Sequence, residues 1–239
     1  MEIIQVKDYE EMSKTACFYL LKKVGNIEQP VLGLATGSTP EGLYRQLIEA
    51  YKNGSLSFKN VKTFNLDEYI HLDQTNPNSY YYYMKKHLFD WIDIPKEQIH
   101  LPNGKAQDLE AECLDYENKI KQVGKIDIQI LGIGLNGHIG FNEPGTAFTS
   151  RTHVIALDES TREANAKFFP SIDDVPTHAI TMGIETIMES EEILLLASGE
   201  QKAAALNRLL NGEISEEFPA SILHRHKKVT VIADAADVN

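Results

Sequence analysis

The chain has 239 residues, enough to bury a sizeable core, and an α/β protein of this length commonly stays a single domain. With 42% hydrophobic and 24% charged residues the composition is globular, and no apolar run approaches the roughly 20 residues that cross a bilayer, so a soluble chain is predicted. A net charge of −12 repels the phosphate backbone of nucleic acid, which leaves a small anion held by local backbone geometry as the charged partner to look for.

The N-terminal Met1-Glu2-Ile3-Ile4-Gln5 has neither a basic nor an apolar export region, and a cytoplasmic location is predicted. The two cysteines, Cys17 and Cys113, stand far apart without a Cys/His grouping, so neither a disulfide framework nor structural zinc is predicted.

In chain order, apolar residues from Tyr9 to Lys23 recur at helical spacing until Gly25. Pro30–Ala35 reads as a short strand buried on both faces, leading into Thr36-Gly37-Ser38-Thr39-Pro40-Glu41. Leu43, Leu47, Ile48 and Tyr51 share one face of the helix that follows, closed by Asn53-Gly54. Val61–Leu66 is the next strand, and helices are predicted over Tyr80–Trp91 and Leu109–Val123. Ile126–Leu131 is another buried strand, followed by a glycine-rich loop. Then come strands at His153–Leu157 and Ala179–Met182, separated by a helix at Thr161–Phe169. The strand Glu192–Ala197, the helix Gln201–Leu210 and the strand Val229–Ala233 complete the order. Strands alternating with helices predict βαβ units and a mostly parallel sheet covered on both faces. Ligands in such sheets sit at the carboxyl ends of strands, here the loops after Ala35, Leu66, Leu131 and Ala197.

All four of those loops carry chemistry-bearing residues. The loop from Thr36 to Glu41 joins strand to helix with a glycine, two hydroxyls and a proline suited to a first helical turn, the construction of an anion cradle. The same letters spell a capping box, with Ser38 as N-cap and Glu41 three residues on. Asn65-Leu66-Asp67-Glu68-Tyr69 sets two adjacent acids at a strand end, where one can face a pocket as a base while the other makes a structural contact or both are solvated. Gly132, Gly134 and Gly137 formally satisfy G-x-G-x-x-G, but the chain then runs into His138-Ile139-Gly140 and Pro144 instead of opening a helix, so a dinucleotide site is not predicted. Those glycines let backbone pass close to a ligand, and His138 with Glu143 forms a candidate proton-handling pair in place of a merely structural histidine. Neither that pair nor His224-Arg225-His226 has a zinc spacing, and no metal is predicted. Lys202, opening a helix after a strand, and Lys167 are the candidate cations for a phosphate, or else ordinary surface lysines.

The stretches LGLATGSTPEGLY, FNLDEY, LGIGLNGHIGFNEPG, SRT, TREANAKFF and GEQKAAAL resemble, in order and spacing, the glucosamine-6-phosphate deaminase family nearly from end to end. FNLDEY and GHIGFNEP are the most specific, since related 6-phosphogluconolactonases share the phosphate loop but not these. The resemblance implies a three-layer α/β/α fold with a mostly parallel, modified Rossmann-like sheet, of the sugar-phosphate isomerase type. It implies no cofactor and conversion of glucosamine 6-phosphate and water to fructose 6-phosphate and ammonia. On that resemblance Asp67 is the enolisation base, while Asn136, His138 and Glu143 open the pyranose ring. Gly37, Ser38, Thr39, Lys202 and Lys167 hold the phosphate on the same resemblance.

Two departures are visible. Asn136 stands where many relatives have aspartate, so His138 should rely more on Glu143. Lys167 stands where many have arginine, and lysine cannot form a bidentate fork. The chain ends at Asn239, without the C-terminal extension of longer, allosterically activated members, which implies a monomer or small homo-oligomer. A single catalytic domain over 1–239 is expected, with a lid around 150–181. The competing readings are a related sugar-phosphate enzyme, such as a 6-phosphogluconolactonase or a galactosamine-6-phosphate isomerase, and a sugar-phosphate-sensing module.

Overall fold

The computed structural model describes residues 1–157, 159–166 and 169–234. Its centre is a seven-stranded sheet in the order β1-β10-β9-β6-β2-β3-β5, parallel throughout. The strands are β1 (Glu2–Gln5), β2 (Val31–Leu34), β3 (Lys62–Asn65), β5 (Ile99–His100), β6 (Ile128–Leu131), β9 (Glu192–Ala197) and β10 (Val229–Ala233). Every residue of β2, β6, β9 and β10 is buried, as a parallel sheet covered on both faces requires.

The main helices are α1 (Tyr9–Val24), α2 (Glu41–Lys52), α3 (Tyr80–His87), α4 (Leu109–Gln122) and α7 (Ala203–Asn211). Right-handed crossovers set α1, α2 and α3 on one face and α4 and α7 on the other, giving three layers. α1 starts where the Asp8 side chain accepts the Glu11 N–H at 2.8 Å, and buries Met12, Ala16, Leu20 and Val24 at helical spacing. None of the described helices is long and apolar enough to cross a bilayer.

A second sheet departs from the expectation of one parallel sheet. β4 (Asp67–Tyr69), β8 (His178–Thr181) and β7 (His153–Ala156) pair antiparallel in the order β4-β8-β7. The FNLDEY segment is therefore strand on both sides of Leu66, not strand followed by loop. Leu66 changes sheets: its N–H donates to Leu34 O at 3.0 Å, and its carbonyl accepts the Met182 N–H at 2.6 Å. Short strands of this kind announce themselves by composition, but the partner is set by distant chain.

Three further differences have local causes. The predicted helix Tyr80–Trp91 ends at His87 because Leu88 leaves helical space (φ −148°, ψ −62°), and Phe89–Trp91 forms a 3₁₀ turn. The two edge strands β1 and β5 carry too few apolar residues to show in the pattern, and α6 (Ile184–Met188) is too short. The helix predicted over Thr161–Phe169 is α5 (Glu159–Asn165), with Lys167 and Phe168 outside the described residues.

Candidate active site

Strand order reverses between β2 and β6: β3 and β5 follow β2 to one side, while β6 returns to its other side. Crevices in open α/β sheets form at such a switch, beyond the carboxyl ends of the strands. A cavity of about 590 Å³ lies there, lined by the Ala35–Pro40 loop, Asp67, the Gly132–His138 loop, Tyr80, Thr161 and Lys202.

The Thr36–Glu41 loop does not form the capping box. α2 begins at Glu41 with Pro40 at the N-cap position and no side-chain cap, so the Ser38 hydroxyl is not spent on the helix end. Gly37 adopts φ 97°, a backbone turn that a side chain would strain. Gly37, Ser38 and Thr39 all line the cavity. Lys202, at the start of α7, lines it from the opposite side, its Nζ donating to Ile133 O at 2.7 Å, and burial lowers its pKa.

The two adjacent acids divide their work. Glu68 is buried and accepts three backbone N–H groups, from Tyr69 at 2.8 Å and from Tyr80 and Tyr81 at 2.9 Å each, which caps the N-terminus of α3. Burial outweighs those three donors and pushes its carboxyl up to about 7. Asp67 points to the cavity, and among the described residues no hydrogen bond reaches its carboxylate. Burial first, and the neighbouring Glu68 second, push Asp67 up to about 8. A carboxyl tuned toward the working pH is what a general base needs.

The glycine loop is a tight excursion. Gly134 N–H donates to His138 O at 2.9 Å and Gly137 N–H to Gly134 O at 3.0 Å. A Cβ on Gly134 would lie 2.3 Å from the His138 ring, so only glycine lets the imidazole fold back over the loop. Glu143 Oε2 is 3.5 Å from His138 Nδ1, an ion pair only when the ring is protonated and long for a hydrogen bond, and Nδ1 has no other partner among the described residues. Three contacts aim this carboxylate: Asn136 Nδ2 donates to Oε2 at 2.7 Å, Thr161 Oγ1 donates to Oε1 at 2.7 Å, and the imidazole stands beside it. Burial would raise the Glu143 carboxyl, but His138 together with the Thr161 and Asn136 bonds carries it down to about 2. Among the described residues no hydrogen bond joins Asn136 to the imidazole ring: its Oδ1 accepts the His138 backbone N–H at 3.2 Å, so it acts through Glu143 and the main chain.

Asp67 and His138 open onto the same cavity as Ser38. That convergence of an acid near neutrality, an imidazole beside a carboxylate and a backbone cradle suits proton transfer on a small phosphorylated molecule.

Residues 7–232 match the family model described as glucosamine-6-phosphate isomerases/6-phosphogluconolactonase. The chain belongs to this family. Within it, similarity concentrates on deaminases. The Glucosamine-6-phosphate deaminase of Oceanobacillus iheyensis is 61% identical over 99% of this chain and 94% of its own length. The Glucosamine-6-phosphate deaminase 1 of Bacillus subtilis is 54% identical over 98% and 97%. A solved structure described as a monomeric glucosamine-6-phosphate deaminase superposes with a TM-score of 0.97 at 53% identity, covering all of both chains. A 6-phosphogluconolactonase from Thermotoga maritima shares the fold of this family, with a TM-score of 0.76 at 22% identity over 97% and 98% of the two chains.

Sequence reasoning missed several residues of this family member's cavity. Thr161, read only as the start of a helix, donates to Glu143. Tyr80 and Phe141 line the cavity and stack with ring centroids 6.0 Å apart. The Tyr-rich segment before Lys85 was the available signal for the first. Lys167 lies outside the described residues. His224 and His226 direct ring nitrogens at the carbonyls of Leu209 and Ser190, so both are spent on structure.

Proposed function

We propose that the chain converts glucosamine 6-phosphate and water to fructose 6-phosphate and ammonia, by aldose–ketose isomerisation and hydrolytic deamination. The observation that carries the reading is the shared cavity of Asp67, His138 and the Ser38 loop. The cyclic sugar has no free carbonyl, so a proton carrier working near neutrality must first open the ring. His138 shuttles that proton, and Glu143 steadies the imidazolium. Asp67 then removes the C2 proton and delivers it to C1, while the aldehyde oxygen takes up a proton and the amine gives one up. The resulting 2-imine takes up water and releases ammonia. Gly37, Ser38, Thr39 and Lys202 hold the phosphoryl group away from C2, fixing the orientation of the sugar, and Lys167 is a further candidate for that contact. Asn136 positions Glu143.

We read residues 1–239 as a single catalytic domain, with 150–181 as a lid. In support, this segment supplies β7 and β8 to the second sheet and brings Thr161 to Glu143 at 2.7 Å. The assembly is read as a monomer, on the likeness to the monomeric deaminase, and the location as cytoplasmic, where a charged sugar phosphate is retained.

Ammonia release from a panel of hexosamine phosphates tests the function. Glucosamine 6-phosphate should yield equal amounts of ammonia and fructose 6-phosphate. Ketose formation without ammonia would replace the deaminase by a plain isomerase.

A further inference from the structure

Three tyrosines from three helices converge on the outer side of the Ala35–Ser38 backbone. Tyr44 of α2 donates to Ala35 O, Tyr83 of α3 to Gly37 O at 2.6 Å, and Tyr9 of α1 to Ser38 O at 2.9 Å. The Tyr9 hydroxyl also accepts the Gly42 N–H at 2.7 Å, so a single oxygen clasps the loop to the first turn of α2. In a trans peptide the carbonyl and the N–H that follows it point to opposite sides. Drawing the Gly37 and Ser38 carbonyls outward therefore turns the N–H groups of Ser38 and Thr39 the other way, and both residues line the cavity. Neither of those N–H groups has a hydrogen-bond partner among the described residues.

We propose that Tyr9 and Tyr83 are positioning residues for the phosphoryl group: both hold the loop with its N–H groups aimed at the anion. Neither lines the cavity of Asp67 and His138, Tyr9 bordering instead an adjoining pocket that shares Ser38, Thr39 and Lys202 with it. The proposal rests on the reading of this loop as the phosphate site. Each hydroxyl does two things. It satisfies a carbonyl that would otherwise be free to rotate, and it keeps that carbonyl's negative end from facing the phosphate. Tyr44 makes the same kind of bond from within the core, where its ring is fully buried, and is the less useful probe for that reason. Burial raises the Tyr83 hydroxyl well above its ordinary range, so it remains a donor throughout the working pH range.

The test is Tyr9→Phe and Tyr83→Phe, with Tyr51→Phe on the same helix α2 as control, since no hydrogen bond from the Tyr51 hydroxyl occurs among the described residues. KM for glucosamine 6-phosphate and the inhibition constant of inorganic phosphate should rise together, about two- to tenfold per variant, the worth of one hydrogen bond. kcat should stay within about twofold and Tyr51→Phe should match wild type, a pattern that general loosening of the fold does not produce. Should either variant lose activity outright, the phosphate-induced rise in Tm supplies the same comparison without turnover. Phosphate competing equally well in wild type and both variants would overturn the tyrosine proposal alone. A wild-type enzyme that phosphate does not inhibit would overturn the loop assignment beneath it.

Discussion

Replacing Asp67 by Asn should stop turnover, and it should also stabilise the fold progressively as pH rises. The second effect tests why the carboxyl is buried where it is. Asp67 is 7% exposed, and burial, with Glu68 beside it, raises its pKa from the ordinary 3.8 to about 8. A carboxyl with a raised folded pKa binds more protons folded than unfolded between the two values, so stability falls as pH climbs through that interval. The span from 3.8 to about 8, at about 1.36 kcal/mol per pH unit, sets a ceiling of about 5–6 kcal/mol. The side chain faces a cavity open to water, which screens its charge and leaves about 1–3 kcal/mol as the expected loss. Guanidinium unfolding of wild type and Asp67→Asn, repeated from about pH 4.5 to 8.5, reads this directly. The gap in favour of Asn should widen with pH by that amount. Whatever the amide N–H costs is the same at every pH, so the slope and not the intercept carries the test. Parallel curves would refute the claim that the fold holds a carboxyl against its own ionisation, a trade of stability for activity.

Other outcomes follow from the same geometry. Infrared difference spectra at pH 6 should show a protonated carboxyl band in wild type that Asp67→Asn lacks; its absence from wild type would mean the base is already ionised. His138→Gln should slow turnover of the cyclic sugar by about 10²–10⁴-fold while an acyclic amino-sugar phosphate, which needs no ring opening, binds within threefold; equal losses in both would assign His138 to binding. Gly134→Ala should destabilise by about 1–3 kcal/mol and depress kcat more than KM, because its Cβ would sit 2.3 Å from the His138 ring; unchanged kinetics would show that the imidazole position is not critical.

Much of the main sheet was legible because its central strands are continuous apolar runs: Glu192–Ala197 and Val229–Ala233 are strands end for end. Two pieces of information were missing. The first is partnership. His153–Leu157 and Ala179–Met182 read correctly as strands, but nothing local says that they turn antiparallel onto Asp67–Tyr69 to build a separate sheet. The second is reach. The site residues proposed from sequence follow the carboxyl ends of main-sheet strands, where topology alone directs attention, even though Asp67 itself opens β4. Thr161, bonded to Glu143 18 positions away, and Tyr83, bonded to Gly37 46 positions away, act across separations that no periodicity encodes. The capping-box reading of Ser38 failed for a related reason: Pro40 takes the N-cap position itself, two residues past the serine, and the helix starts at Glu41.

The second sheet explains how Asp67 and His138 are held in register with each other. Asp67 pairs with Thr181 across the β4–β8 ladder, and the Thr181 hydroxyl accepts the Phe141 N–H at 3.1 Å, just beyond His138 in the glycine loop. One residue thus ties Asp67 to the loop that carries His138, while the Ser38 loop hangs from β2 in the other sheet. Thr181→Val removes that hydroxyl at nearly constant volume and leaves the buried Phe141 N–H unpaired, at a cost of about 1–3 kcal/mol. A shift of the glycine loop by a fraction of an ångström should lower kcat by about tenfold, because proton transfer depends steeply on donor–acceptor geometry. The inhibition constant of inorganic phosphate should not move, since the Ser38 loop belongs to the other sheet. A Thr181→Val enzyme with wild-type kcat, or one that loses phosphate affinity in step with kcat, would show that the two sheets do not divide the site in this way.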